Sequence, residues 1–174
     1  LVGPDPEITS IGESADWKAR MTTSTQAPLQ QVVIVEQGGK QVFSVPAGMP
    51  SPILPLQGLW TYSGHWALEL VDTDSEEWRG KVFIDGKLIN EAEAYDEAFS
   101  FQLLDGRPFF LFSRGGRLGY AYDGVEADLG YEGIPHYRCC SESVLNPIQA
   151  QSMVAFFAQR GGDWFYVELG QLDD

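Results

Sequence analysis

The sequence has few cysteines and few basic side chains, and each shortage excludes a class of protein. Its two cysteines, Cys139 and Cys140, are neighbours among 174 residues, so no ordinary disulfide framework closes within one chain. We expect buried thiols there, with a vicinal disulfide or pairing between chains as alternatives. Lysine and arginine together number 11 against 25 acidic residues, which gives a net charge of −14. Because this charge repels phosphate backbones, we expect no nucleic-acid partner.

Long apolar runs are also absent, so we expect no membrane span. Hydrophobic residues nevertheless make up 44% of the chain and charged residues 21%, which is a globular composition. Aromatic residues make up 13%, and their flat side chains favour strands over helices.

The clearest structural signal lies in residues 99–124, whose pattern predicts three strands joined by two tight turns. The turns are Asp105-Gly106 and Gly115-Gly116, dipeptides that supply the positive φ of a two-residue hairpin. Between them, the strand 108–112 reads PFFLF and is apolar on both faces. We therefore expect this strand to be central and covered on both sides.

Further hairpins are predicted along the rest of the chain, with turns at Gly38-Gly39, Ser63-Gly64, Asp85-Gly86 and Gly161-Gly162. The proline-rich stretch 46–55 is expected to be a spacer rather than a central strand. The last hairpin has an alternative, because Asn146-Pro147 is typical of a helix start and Gly161 of a helix stop. We favour a strand over residues 153–159.

The chain is predicted to consist of an arm and one domain. Residues 1–31 carry prolines, Ser/Thr clusters and few apolar pairs, so we expect an extended N-terminal arm that is flexible or ordered by a partner. Residues 32–174 have the length and composition of a single all-β domain.

Three hairpins resemble one another, since YSGHWALEL, LDGRPFFLF and QRGGDWFYVEL each have a turn, an aromatic residue and an alternating strand. The shared aromatics are Trp66, Phe109 and Trp164. A period of roughly 40–50 residues with about four strands per unit is typical of propeller blades. The last copy lacks a second hairpin, which residues 32–45 are expected to supply. The predicted fold is therefore all-β, built from repeated antiparallel hairpins and propeller-like, with a β-sandwich or a barrel as alternatives.

An acidic loop offers the first candidate chemistry, a Ca²⁺ site formed by Asp72, Asp74, Glu76 and Glu77. Carboxylates on a flexible loop are the ligands that hard cations prefer. The loop lacks the glycine and the distal glutamate of an EF-hand, so a solvated loop is the alternative. A second acidic cluster has the same two interpretations and consists of Glu91, Glu93, Asp96 and Glu97.

The segment IPHYRCC brings His136 close to Cys139 and Cys140 in the sequence, and His65 is the other histidine. These residue types bind zinc, but the paired CxxC spacing of zinc sites is missing. A Cys-His thiolate pair is a second hypothesis. We favour a packed loop with two buried thiols over both.

Aromatic side chains left on the surface would mark a sugar- or protein-binding site. The candidate ligand-binding residues are Trp60, Trp66, His136 and Trp164. Because no catalytic motif is found, we expect a non-catalytic, secreted or cell-surface domain that binds a protein or carbohydrate partner. One alternative is an extracellular structural subunit that forms homo-oligomers through its arm or a sheet edge. The other is a hydrolase that uses carboxylates or the Cys-His pair.

Overall fold

The computed structural model describes residues 6–24, 29–51, 53–74, 78–137 and 146–170 of the chain. Strands account for 63% and helix for 3% of the residues, so the all-β prediction is confirmed. Within the described residues, no helix has the length and apolar character needed to cross a bilayer.

The first half of the described chain contains, in order, β1 (Glu7–Thr9), β2 (Ile11–Gly12), β3 (Trp17–Thr23), β4 (Gln31–Gln37), β5 (Lys40–Pro46), β6 (Leu56–Tyr62), β7 (His65–Asp72), β8 (Arg79–Ile84), β9 (Lys87–Leu88) and the short helix α1 (Ile89–Ala92). The second half contains β10 (Glu97–Leu104), β11 (Arg107–Arg114), β12 (Arg117–Tyr122), β13 (Val125–Asp128), β14 (Ile148–Gln149), β15 (Met153–Arg160) and β16 (Asp163–Gly170).

These strands form four successive sheets, none of which closes on itself within the described residues. Sheet one has the order β1-β3-β4-β5, and sheet two has the order β2-β6-β7-β8-β9. Sheet three follows as β10-β11-β12-β13, and sheet four as β14-β15-β16. Neighbouring strands are antiparallel, except that β2 pairs with β6 in parallel.

The predicted hairpin turns are confirmed, because each of them joins two paired strands. Asp105 and Gly106 between β10 and β11 have φ values of 49° and 76°. This left-handed conformation twists the backbone in the sense that the flanking strands need, and it favours Asp or Asn followed by Gly. The strand predicted over 153–159 is also confirmed, since β15 pairs along its length with β16.

The core consists of three apolar clusters, and each of them lies between two consecutive sheets. Strand β11 contributes to two of them, because Phe110 and Phe112 face sheet two while Phe109 and Leu111 face sheet four. It also pairs with β10 on one side and β12 on the other. The predicted central strand is therefore confirmed, and it is buried by its two neighbouring sheets.

Two features differ from the expectation for the N-terminal part. Residues 6–24 contain β1, β2 and β3, where the sequence predicts an extended arm over 1–31 that is flexible or ordered by a partner. Trp17, Ala19 and Met21 alternate along β3 and pack in the first core cluster, so a few apolar residues at period two suffice for a strand. The hairpin over 32–45 pairs with β3 in sheet one, so the prediction that it completes the last sheet is wrong.

Candidate functional site

A buried carboxylate, that of Glu69 on β7, links sheet two to sheet three. Strand β10 has a bulge between Phe99 and Gln102, where the regular ladder to β11 is interrupted. The N–H groups of Ser100 and Phe101 in this bulge donate to the two carboxylate oxygens of Glu69, at 2.9 Å and 2.7 Å. Because a bulge leaves backbone donors unpaired, Glu69 supplies the acceptors that β11 does not.

The Tyr137 hydroxyl donates a third hydrogen bond to Glu69. Burial raises the pKa of Glu69 above its ordinary value of 4.5, although its three hydrogen bonds and nearby His136 act in the opposite direction. Burial and the charge of Glu69 raise the pKa of Tyr137 well above its ordinary value of 10.0. Tyr137 is therefore a permanent hydrogen-bond donor to this carboxylate.

His136 lies beside this pair and has both of its ring nitrogens engaged. Nε2 is 2.9 Å from a carboxylate oxygen of Glu97, and Nδ1 faces the Ile134 carbonyl oxygen at 2.5 Å. Its ring stacks on Phe99 with centroids 3.7 Å apart. This arrangement holds the loop after β13 against β10 and engages both ring nitrogens within the fold.

Glu69, His136 and Tyr137 line a cavity of about 680 Å³, which we call the central cavity. One edge strand of every sheet contributes to its wall, through Ile8 of β1, Ile11 of β2, Ser100 of β10 and Gln149 of β14. Much of the remaining wall is apolar and includes Leu54, Leu59, Trp60, Phe99 and Pro147. An apolar cavity of this size with a few polar groups is typical of small-molecule sites.

A second cavity shares His136 and Tyr137 with the central cavity as lining residues. It measures about 800 Å³ and has acidic and basic side chains in its lining, including Arg79, Asp96 and Glu97. Glu97 accepts a hydrogen bond from the Gly80 N–H at 2.7 Å in addition to its contact with His136. The carboxylates in this lining are thus used in part to hold β8 and β10 together.

The three candidate tryptophans have different environments in the structure. Trp60 is 5% exposed and packs between sheets two and three, with one edge on the central cavity. Trp66 is 8% exposed and packs between sheets one and two against Trp17 and Phe43. Trp164 on β16 is 59% exposed. The ring that the structure leaves on the surface is therefore that of Trp164.

Trp164 belongs to an exposed group of side chains on sheet four, which we call the outer aromatic face and which consists of Ile148, Phe157, Trp164 and Tyr166. Phe157 and Tyr166 are directly opposite each other on β15 and β16, and their exposed fractions are 51% and 57%. Val154, Phe156 and Ala158 point to the other side of β15, into the core. The strands of sheet four are thus apolar on both faces, although only one face is covered within the described residues.

The acidic loop is used in part by the protein itself. Asp72 forms an ion pair with Lys81 at 2.6 Å and accepts a hydrogen bond from the Asp74 N–H. Burial raises the pKa of Asp72, but the hydrogen bonds from Lys81 and Asp74 outweigh it and lower the pKa below 3.8. Asp74 accepts a hydrogen bond from the Met49 N–H at 2.9 Å.

Glu76, Glu77, Cys139 and Cys140 lie outside the described residues. Among the residues that are described, no three His, Cys, Asp or Glu side chains come together as a metal site would require. The Ca²⁺ site and the zinc site stay predictions.

In comparisons with known proteins, no protein-family model, curated protein or solved structure matches the chain.

Sequence reasoning missed Glu69 and Tyr137, which are 68 positions apart. A signal for Glu69 was present in the stretch ALELV, where one carboxylate interrupts a strand whose neighbours are all apolar. A charged residue inside a strand that is buried on both faces needs hydrogen-bond donors from a neighbouring element. No comparable local signal identifies Tyr137.

Proposed function

We propose that the protein is a binding domain, and that a partner protein covers its outer aromatic face. The observation that supports this function is the exposure of Phe157, Trp164 and Tyr166 together on one sheet face. Contiguous exposed apolar patches are uncommon on monomeric proteins and mark interaction sites. Tryptophan and tyrosine are also the residues that contribute most binding energy at protein interfaces.

The ring geometry favours a protein partner over a carbohydrate. The rings of Phe157 and Tyr166 are 5.4 Å apart but tilted by 53° to each other. A sugar ring stacks best on a flat aromatic surface, whereas tilted rings leave gaps that irregular side chains fill. The partner we propose therefore presents apolar side chains that pack between these rings.

The charge of the face and of the chain adds a second property of the partner. Glu168 lies on the same side of β16 as Trp164 and Tyr166, and its carboxylate accepts a hydrogen bond from the Tyr166 hydroxyl. The residues on this face of β15 and β16 include no lysine or arginine. Together with the net charge of −14, this favours a partner that carries basic side chains and disfavours a second copy of the chain.

The hydrolase alternative has one observation in its favour, since His136, Glu69 and Glu97 line cavities. Their hydrogen bonds argue against it. Both nitrogens of His136 already have partners that belong to the fold, and Glu97 is held by the Gly80 N–H as well as by His136. A general base needs a free lone pair within reach of substrate, so binding is the function that this geometry supports better.

Selection of peptides from a random display library on the immobilised full chain tests the proposal. Counter-selection uses the double variant Trp164→Ala/Tyr166→Ala, which removes two rings from an exposed face. We expect peptides that combine lysine or arginine with apolar residues and that lose at least tenfold in affinity for the double variant, because each ring contributes about 1–2 kcal/mol at an interface.

The control is Val42→Ala/Val125→Ala, which removes two exposed apolar side chains from sheets one and three. Its affinity for the selected peptides should equal that of the wild type. Peptides that bind both double variants equally well would overturn the proposal. If a glycan array shows binding that depends on Trp164, the partner is a carbohydrate instead of a protein. If light scattering shows that two copies associate through Trp164, the face serves self-assembly.

We also propose that the four sheets are successive blades of a propeller-like fold. Two observations support this arrangement: each core cluster lies between consecutive sheets, and one edge strand of every sheet reaches the central cavity. In a propeller the innermost strands of the blades surround a shared channel. An experimental structure in which these edge strands do not surround one cavity would contradict the arrangement.

A further inference from the structure

The central cavity has the size and the wall of a small-molecule site that is separate from the outer aromatic face. Its volume of about 680 Å³ lies within the range of pockets that enclose small ligands. Trp60 and Phe99 contribute aromatic surface, and Leu59 and Pro147 contribute aliphatic surface. A ligand for this cavity therefore needs an apolar body.

The charged groups of the wall determine a second property that a ligand of this cavity needs. Among the described lining residues, Glu69 is the carboxylate and His136 the histidine, and none is a lysine or arginine. Both ring nitrogens of His136 are already engaged, one with a carboxylate oxygen of Glu97 and the other with the Ile134 carbonyl oxygen. An anionic ligand would thus find no cationic group that is free to receive it.

Glu69 retains capacity to accept a hydrogen bond. One oxygen accepts from Ser100 and Tyr137 and the other accepts from Phe101, whereas a carboxylate offers about four acceptor positions. A donor on a ligand would complete the set on a carboxylate that is itself only 3% exposed, where a charge-assisted hydrogen bond is strong. The ring of Trp60 adds a surface that attracts cations.

We propose that the central cavity binds a small organic cation, in which an ammonium group meets Glu69 and an apolar body packs against Trp60. Ligands with a carboxylate or phosphate are excluded by the same carboxylate. The net charge of −14 also raises the concentration of cations near the cavity mouth.

The test titrates the full chain at neutral pH with three probes of equal length: hexylammonium, 1-hexanol and hexanoate. Calorimetry gives the affinities, and the indole N–H resonance of Trp60 reports whether the cavity is occupied. We expect hexylammonium to bind about tenfold more tightly than 1-hexanol, and hexanoate to bind most weakly, because a hydrogen bond to a charged group adds about one power of ten.

In the variant Glu69→Gln the preference for hexylammonium over 1-hexanol should disappear. General attraction of cations cannot explain that result, since the variant remains strongly acidic. If Glu69→Gln does not fold, the variant Ile11→Trp tests whether hexylammonium binds in the central cavity, because Ile11 lines this cavity and is 63% exposed. It should weaken hexylammonium binding at least tenfold, whereas Val125→Trp, at an exposed position on β13, should not change it.

Equal affinities of the wild type for hexylammonium and 1-hexanol would overturn the proposal. So would a folded Glu69→Gln variant that keeps the preference, or equal losses in Ile11→Trp and Val125→Trp. None of these results bears on the outer aromatic face, which lies on sheet four and is tested with peptides.

Discussion

At the scale of single residues, Glu69 shows how a charged side chain is accommodated in the core of this protein. It lies on β7 between Leu68 and Leu70, which face sheet one, and it points toward sheet three. Only 3% of its surface is exposed. Removing its acceptors would leave two bulge N–H groups and the Tyr137 hydroxyl without partners, so we expect Glu69 to determine how sheets two and three fit together.

The raised pKa of Glu69 predicts a pH dependence of stability. Because burial raises its folded-state pKa above 4.5, the folded chain holds this proton more tightly than the unfolded chain. The stability that the protonated group contributes is complete below about pH 4.5 and is lost as the pH rises through the folded-state pKa. The unfolding free energy of the wild type minus that of Glu69→Gln should therefore decrease as the pH rises above about 4.5.

Urea denaturation of both proteins across this pH range measures the difference. Glu69→Gln is expected to be less stable throughout, since its amide donates where the carboxylate accepts, so the trend with pH is the informative quantity. Glu91→Gln, at an exposed position on α1, controls for the loss of one negative charge. A difference that grows with pH would show that Glu69 is stabilised in its ionised form.

Trp66 and Trp164 form a matched pair, because both follow a hairpin turn at the same place in the proposed repeat. Trp66→Ala should lower the unfolding free energy by about 3–5 kcal/mol, as large-to-small changes in a core do. Trp164→Ala should change it by less than about 0.5 kcal/mol, as is usual at exposed positions. Urea denaturation measures both values, and equal losses would mean that the face around Trp164 is covered in solution.

At the scale of elements, the side chain of Asn146 pairs with the backbone of β15 at Phe157. Its side-chain oxygen accepts from the Phe157 N–H at 2.8 Å, and its amide donates to the carbonyl oxygens of Pro135 and Phe157 at 2.8 Å and 3.2 Å. The amide thereby ties the loop after β13 to sheet four. A side chain with both a donor and an acceptor is required for this pattern.

Asn146→Ala should lower the unfolding free energy by about 2 kcal/mol or more, because each buried group left without a partner costs about 1–3 kcal/mol. Denaturation by urea gives the value. Gln151→Ala, at a nearby exposed position, is the control and should change stability by less than about 0.5 kcal/mol. Similar losses in the two variants would show that water replaces the Asn146 amide.

The strands and turns of this chain follow from local sequence, whereas the site does not. Dipeptides such as Asp105-Gly106 specify a hairpin within a few residues, and the two-sided apolar pattern of β11 indicates its central position. The network around Glu69 depends on a bulge in β10 and on Tyr137, both far away in the sequence. The sequence also did not predict strand β3, because its few apolar residues indicate a strand only once they are seen paired with β4.

At the scale of the whole molecule, the position of each sheet decides which of its faces are buried. Sheets two and three each have a neighbouring sheet on both sides, and their inner strands β7 and β11 are buried on both faces. Sheet four packs against sheet three alone within the described residues, so β16 alternates between covered and exposed positions. Aromatic residues at the exposed positions are what a partner surface requires. The extracellular location expected from the sequence stays a prediction.

Hydrogen exchange in the presence of a selected peptide reports most directly whether the outer aromatic face is the binding surface. We predict slower exchange of backbone amides in β15 and β16 when the peptide binds the full chain, with no change in β4 and β5. The effect should be absent in Trp164→Ala/Tyr166→Ala. Slower exchange confined to sheet one, or protection of β15 and β16 that persists in the double variant, would contradict the proposed function.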